Sequence, residues 1–167
     1  MKKIFGIFTL IFVILSALTS CGITVPRPET KTGEFDFTVT YEYGGETVTV
    51  SGVYVCEYNG TDWAIDSGYY RDWVGYVKGD KEDMIKIGTT EDGGTLQLVL
   101  DLYPEYFMGD FETGYNEDPT PYLSVTIIDG ESVSIEHEAD VIEEKYGAKI
   151  ISYEYDEPIE NSFGLFK

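Results

Sequence analysis

Residues 35–54, FDFTVTYEYGGETVTVSGVY, decide how this chain is read. Phe35, Phe37, Val39, Tyr41 and Tyr43 alternate with Asp36, Thr38, Thr40 and Glu42. A period of two marks a strand with one buried face, because successive side chains leave a strand on opposite sides. Gly44-Gly45 follows, and paired glycines suit a two-residue hairpin turn whose central residues both take positive φ. Such a turn sets Tyr43 against Glu46, Tyr41 against Val48, Val39 against Val50, Phe37 against Gly52 and Phe35 against Tyr54. Opposed residues share a face, so the two apolar sets agree. Phe37 also covers the gap that a strand glycine leaves at position 52.

The same logic extends along the chain. Ile85, Ile87 and Thr89 alternate on one strand, and Leu96, Leu98 and Leu100 on another. A two-residue Asp92-Gly93 turn between them would set Ile87 against Leu98 and Ile85 against Leu100. A third hairpin joins Leu123, Val125 and Ile127 to Val133 and Ile135. A three-residue loop, Ile128-Asp129-Gly130, places all five on one face and gives Gly130 the left-handed position of a G1 bulge.

The period then changes. In ADVIEEKYG, Ile142 and Tyr146 stand four apart and Gly147 is a natural stop, which predicts a short helix over 139–146. Residues 150–155 return to strand, Pro158 ends it, and Phe163 is expected to fold back onto the sheet. The chain is therefore expected to be mainly β: one domain over residues 34–167, an antiparallel β-sandwich or open barrel with one short helix near 139–146.

The front end reads differently. Lys2 and Lys3 precede an almost purely apolar run of fifteen residues, too short for a typical span of about 20 but suited to a secretory leader. The leader closes on Leu18-Thr19-Ser20-Cys21, which resembles the lipobox of bacterial lipoprotein signals. The resemblance implies that residues 1–20 are a signal peptide and that the Cys21 sulfur carries a diacylglyceryl group. It also implies that the protein sits in the cell membrane, lipid-anchored on the extracytoplasmic face. Residues 21–33, with two prolines and two glycines, are expected to be the lipidated cysteine and a flexible tether. FDFTVTYEYGGE near the start and KYGAKIISYEYDEPIENSF at the end make the mature chain similar to small lipoproteins of Gram-positive bacteria, a resemblance that implies a location and no activity.

The chain carries a formal charge of −20, from 31 acidic and 11 basic residues, and loses two lysines with the leader. That charge argues against nucleic acid as a partner, since affinity for phosphate rests on Lys and Arg. Solubility explains it; a cationic partner or a bound divalent cation is the sharper reading. With Cys21 lipidated, Cys56 has no disulfide partner and is expected to be a small core residue. His137 stands beside no nucleophile motif and is expected to be a strand-end residue. No motif implies a cofactor.

Two regions attract functional attention. TDWAIDSGYYRDWVGY holds Trp63, Tyr69, Tyr70 and Trp73, and residues 103–121 run without strand or helix period while carrying Tyr106, Phe107 and Tyr115. Rings of this kind either fill a core or, exposed beside carboxylates, suit a sugar or a peptide. The same loop holds Asp110, Glu112, Asn116, Glu117 and Asp118, oxygen ligands of the type Ca²⁺ takes, although their spacing is not that of an EF-hand. The expected function is a membrane-anchored, non-catalytic module that binds a ligand or an envelope protein. A carboxylate-dependent surface hydrolase and a Ca²⁺-stabilised surface module are the alternatives.

Overall fold

The hairpin of residues 35–54 forms in the register read from its turn, with Phe35 opposite Tyr54, Val39 opposite Val50 and Tyr43 opposite Glu46. Gly44 and Gly45 both take positive φ, at 63° and 80°, and a Cβ placed on Gly52 would lie 2.8 Å from the Phe37 ring. The computed structural model describes residues 25–79, 84–113 and 118–164, so the leader and Cys21 lie outside the described residues.

The strands are β1 (Arg27–Pro28), β2 (Thr32–Tyr43), β3 (Glu46–Ala64), β4 (Gly68–Val77), β5 (Met84–Thr89), β6 (Thr95–Val99), β7 (Tyr122–Asp129), β8 (Ser132–Glu136), β9 (Ala148–Tyr155) and β10 (Phe163–Gly164). Among the described residues two short α-helices, α1 (Pro104–Phe107) and α2 (Ala139–Tyr146), and one 3-10 turn at Phe111–Thr113 join them. One antiparallel sheet has the order β4-β3-β2-β9, a second has β5-β6-β7-β8, and β1 pairs with β10. Both four-stranded sheets turn their inner faces into one core. Phe35, Phe37, Val39 and Tyr54 enter it from the first, and Leu96, Leu98, Leu123 and Val125 from the second. The fold is thus the mainly β, antiparallel sandwich or open barrel that the alternation predicts. The short helix forms over 139–146, with Ile142 buried and Gly147 in the left-handed conformation at its end.

The other two hairpins differ from their expected registers. In the second, Ile85 faces Leu98 instead of Leu100, and Ile87 is an extra residue in a bulge between Lys86 and Gly88. The loop is one residue longer than expected. It is closed by the Thr90 N–H donating to the Gly94 carbonyl, and the Thr90 hydroxyl donates to Asp92 Oδ1. A one-residue slip alone would turn the apolar set outward; the bulge adds the second slip and returns Ile85 to the core side.

The third hairpin turns on Gly130-Glu131, with Asp129 opposite Ser132, and not on the expected three-residue loop. Gly130 has φ 61° and Glu131 has negative φ, the pattern of a II′ turn with glycine first. Ile128 consequently faces Val133, and Ile128, Val133 and Ile135 are exposed. The expectation assumed that every apolar residue reaches the core; β8 is an edge strand, and its apolar residues lie on the outer face.

The segment expected to be a flexible tether up to Gly33 is ordered strand and turn from Arg27 onward. The Glu29 N–H donates to the Ser162 carbonyl, and Asn161 bonds the Thr30 backbone in both directions. From Arg27 onward the segment belongs to the folded domain, clamped to the tail through β10. Phe163 packs against the core as expected.

Candidate functional site

The β2–β3 ladder ends at Thr32–Glu57, closed by the Tyr58 N–H donating to the Lys31 carbonyl. Beyond that point β3 and β4 continue alone as a two-stranded arm, pairing from Tyr58–Trp73 to Ala64–Gly68. One face of the arm carries Tyr58 and Trp73, then Thr61 and Arg71, then Trp63 and Tyr69. Its base is core: Trp73 is buried, with its ring edge-on to Tyr58 at 5.3 Å. Its end is not. Trp63 and Tyr69 stand directly opposite each other, each 54% exposed, and Ile65 in the loop is 90% exposed. The other face bears Asp62 opposite Tyr70, and the charge of Asp62 holds the Tyr70 phenol above its usual range.

Midway along the arm a polar lock replaces the rings. Arg71 is 3% exposed and Asp110 fully buried. Arg71 Nε and Nη2 donate to Asp110 Oδ2 and Oδ1, each at 2.5 Å, and Nη2 also donates to Glu112 Oε2 at 2.7 Å. Nη1 donates to the Pro26 carbonyl, and the guanidinium lies 4.1 Å from the centre of the Phe163 ring. Trp73 Nε1 donates to Asp110 Oδ2 at 2.9 Å. The fork matches the carboxylate geometrically, which is why arginine and not lysine suits the position. The lock joins the arm, the segment after α1, the entry of the chain and its tail.

The expected site residues therefore divide. Trp63 and Tyr69 are exposed at the tip, and Tyr70 is half-buried on the opposite face of the arm. Trp73 and Phe107 are core residues and are withdrawn as ligand contacts. Tyr106 is half-buried and edge-on to Phe107 at 5.3 Å; burial and then a hydrogen bond to Asp118 push its phenol up to about 12. Tyr115, Asn116 and Glu117 lie outside the described residues. Asp110 is engaged by Arg71 and Trp73, and Glu112 by Arg71, so both are committed to the lock. Among the described residues, no group of three or more His, Cys, Asp or Glu side chains could hold a metal ion. Sequence reasoning missed Arg71. The available signal was an arginine two residues before Trp73 on an inward-facing strand position, in a chain with only two arginines.

A hydrolase would need a second carboxylate beside a desolvated one. Glu105 is the desolvated member: burial first, then the charges of Asp110 and Asp72, raise its carboxyl above the ordinary value. Asp110, committed to Arg71 and Trp73, is not presented to a substrate. Cys56 is buried and its thiol is pushed up by burial, the state of an inert core cysteine. His137 is exposed, with its ring 6.2 Å from that of Tyr122.

Glu105 provides a test of the local electrostatics. A carboxyl raised in the folded state contributes stability that is present below its ordinary value of 4.5 and is lost as pH rises through the folded value. Glu105→Gln is therefore expected to raise Tm at pH 7 and to leave it unchanged near pH 4, by scanning calorimetry. An equal gain at both pH values would remove the charge explanation.

No protein-family model, curated protein or solved structure matches the chain.

Proposed function

We propose that this chain is a lipid-anchored extracytoplasmic binding module, held in the cell membrane through Cys21, whose contact point is the tip of the β3–β4 arm. The observation that carries the reading is the exposed trio Trp63, Ile65 and Tyr69 at the end of a two-stranded extension. Single exposed apolar residues are ordinary, but three grouped at the tip of an arm form a patch that folding does not need. Trp and Tyr offer large contact area with few rotatable bonds. Asp62 and Asp66 flank them, so the arrangement suits a ligand with a flat apolar face and hydroxyl or cationic donors, a glycan or a peptide of the envelope. The leader that resembles a lipoprotein signal supports the location, and the strong negative charge supports a role away from nucleic acid.

A photo-crosslinking residue placed at Ile65 in the full-length chain, in living cells, is expected to give a discrete adduct. The same probe at Thr47, on the exposed far end of the hairpin, gives none, and Trp63→Ala with Tyr69→Ala removes the Ile65 adduct. Equal labelling at both positions, or none at either, would overturn the contact assignment. Fatty-acid labelling that persists in Cys21→Ser would overturn the anchor.

A further inference from the structure

The side of the sandwich opposite the arm's edge of the sheet holds a second feature. β9 is the last strand of its sheet, and between it and α2 runs a groove of about 710 Å³. Its walls include Tyr122, Leu123, Ile142, Ile150 and Tyr153. Tyr153 lies opposite the buried Val39, so its ring is on the inner face of the sheet, yet it remains 45% exposed because no strand continues beyond it among the described residues.

The hydrogen-bond phase of β9 is fixed by the Asp156 N–H donating to the Asp36 carbonyl. In an antiparallel pair the bonded positions alternate, so Glu154 and Ser152 turn their backbone groups toward Thr38 and Thr40. Tyr153 between them turns its N–H and C=O to the open edge, where the groove runs. An apolar slot beside an open strand edge is the arrangement that accepts an extended segment: main-chain bonds to the edge, alternate side chains in the slot.

Charge selects the occupant. Asp140 and Glu143 stand at the groove, and its lysine, Lys149, is engaged by Glu143 at 3.1 Å and Glu42 at 3.8 Å. A second copy of a chain carrying −20 would bring like charge to this rim, as would an anionic lipid surface. We propose that the groove between α2 and β9 receives an extended peptide segment bearing lysine or arginine, which pairs with the β9 edge and places its apolar side chains in the slot and its cations at Asp140 and Glu143. The site is separate from the arm and does not depend on its ligand.

The test uses the full-length chain in detergent micelles and a capped peptide of about eight residues alternating valine and lysine. Two companions accompany it, one with glutamate in place of lysine and one N-methylated at every second residue. The lysine peptide is expected to slow amide exchange at Tyr153 by about tenfold or more. The glutamate peptide, which reverses the charge, and the N-methylated peptide, which removes main-chain donors, leave Tyr153 unprotected. Asp140→Asn with Glu143→Gln weakens the lysine peptide by about tenfold, with circular dichroism unchanged. Protection by all three peptides alike, protection at the arm alone, or none with any peptide overturns the proposal. Concentration-dependent protection of Tyr153 without peptide overturns it in favour of a second copy.

Discussion

Asp110→Ala is expected to destabilise the fold by about 3–5 kcal/mol, because it strips the partner from a buried cation. Arg71 would keep its charge in a site where it is 3% exposed, and the Trp73 indole N–H would lose its acceptor. Glu112 is too exposed to replace Asp110, with 76% of its side chain in solvent. Urea unfolding followed by circular dichroism measures the loss. The paired change Arg71→Met with Asp110→Leu separates charge from packing: it removes both ions together and is expected to cost less than Asp110→Ala alone. A single substitution that shifts stability by less than about 0.5 kcal/mol, the range of ordinary surface changes, would show that the lock contributes little.

Phe107→Ala is expected to have an effect of similar size, about 3–5 kcal/mol, for a different reason. Phe107 is fully buried on the four-residue α1, and its ring centre lies 4.9 Å from Phe35, 5.5 Å from Tyr54 and 6.2 Å from Tyr155. It ties the loop to strands β2, β3 and β9 together. Truncation opens a cavity that three neighbouring rings, each held by its own strand, cannot collapse to fill. Trp63→Ala at the arm tip is the contrasting case. That ring is half in solvent, and its removal is expected to stay within about 0.5 kcal/mol in the same urea series. A large cost at Trp63, or a small one at Phe107, would reverse the division between core and contact residues drawn above.

The legibility of the chain followed the locality of the information. The β2–β3 register was fully readable because two glycines specify one turn and one turn specifies every pair. The α2 helix and its stop at Gly147 were readable for the same reason. The other two hairpins were not, because their turns contain a side-chain bond at Thr90 and a glycine that opens its loop where it was expected to close it. Both are decided by a few atoms that hydrophobic alternation does not report. Assigning rings to core or surface required topology. Trp63 and Trp73 lie on the same face of one arm, and what separates the covered ring from the exposed one is tertiary: Trp73 stands near the end of the β2–β3 pairing at Thr32–Glu57, against Tyr58 and Asp110, and Trp63 lies beyond it. Residues 103–121 read as irregular because α1 is a single turn, and its main contribution, Phe107 and Asp110, is tertiary.

The bond from Arg71 to the Pro26 carbonyl fixes where the chain enters the domain. Arg71 pairs with Thr61, three residues short of the end of β3 at Ala64, so the entry point lies about 10 Å of strand from the aromatic tip at about 3.3 Å per residue. From Cys21 to Pro26 the chain spans under about 20 Å when extended. In a protein held at Cys21, the leash and the arm thus share one pole. Under the anchoring proposed above, Trp63, Ile65 and Tyr69 would stand on the bilayer side of the domain, toward headgroups and the membrane-proximal parts of neighbouring envelope molecules.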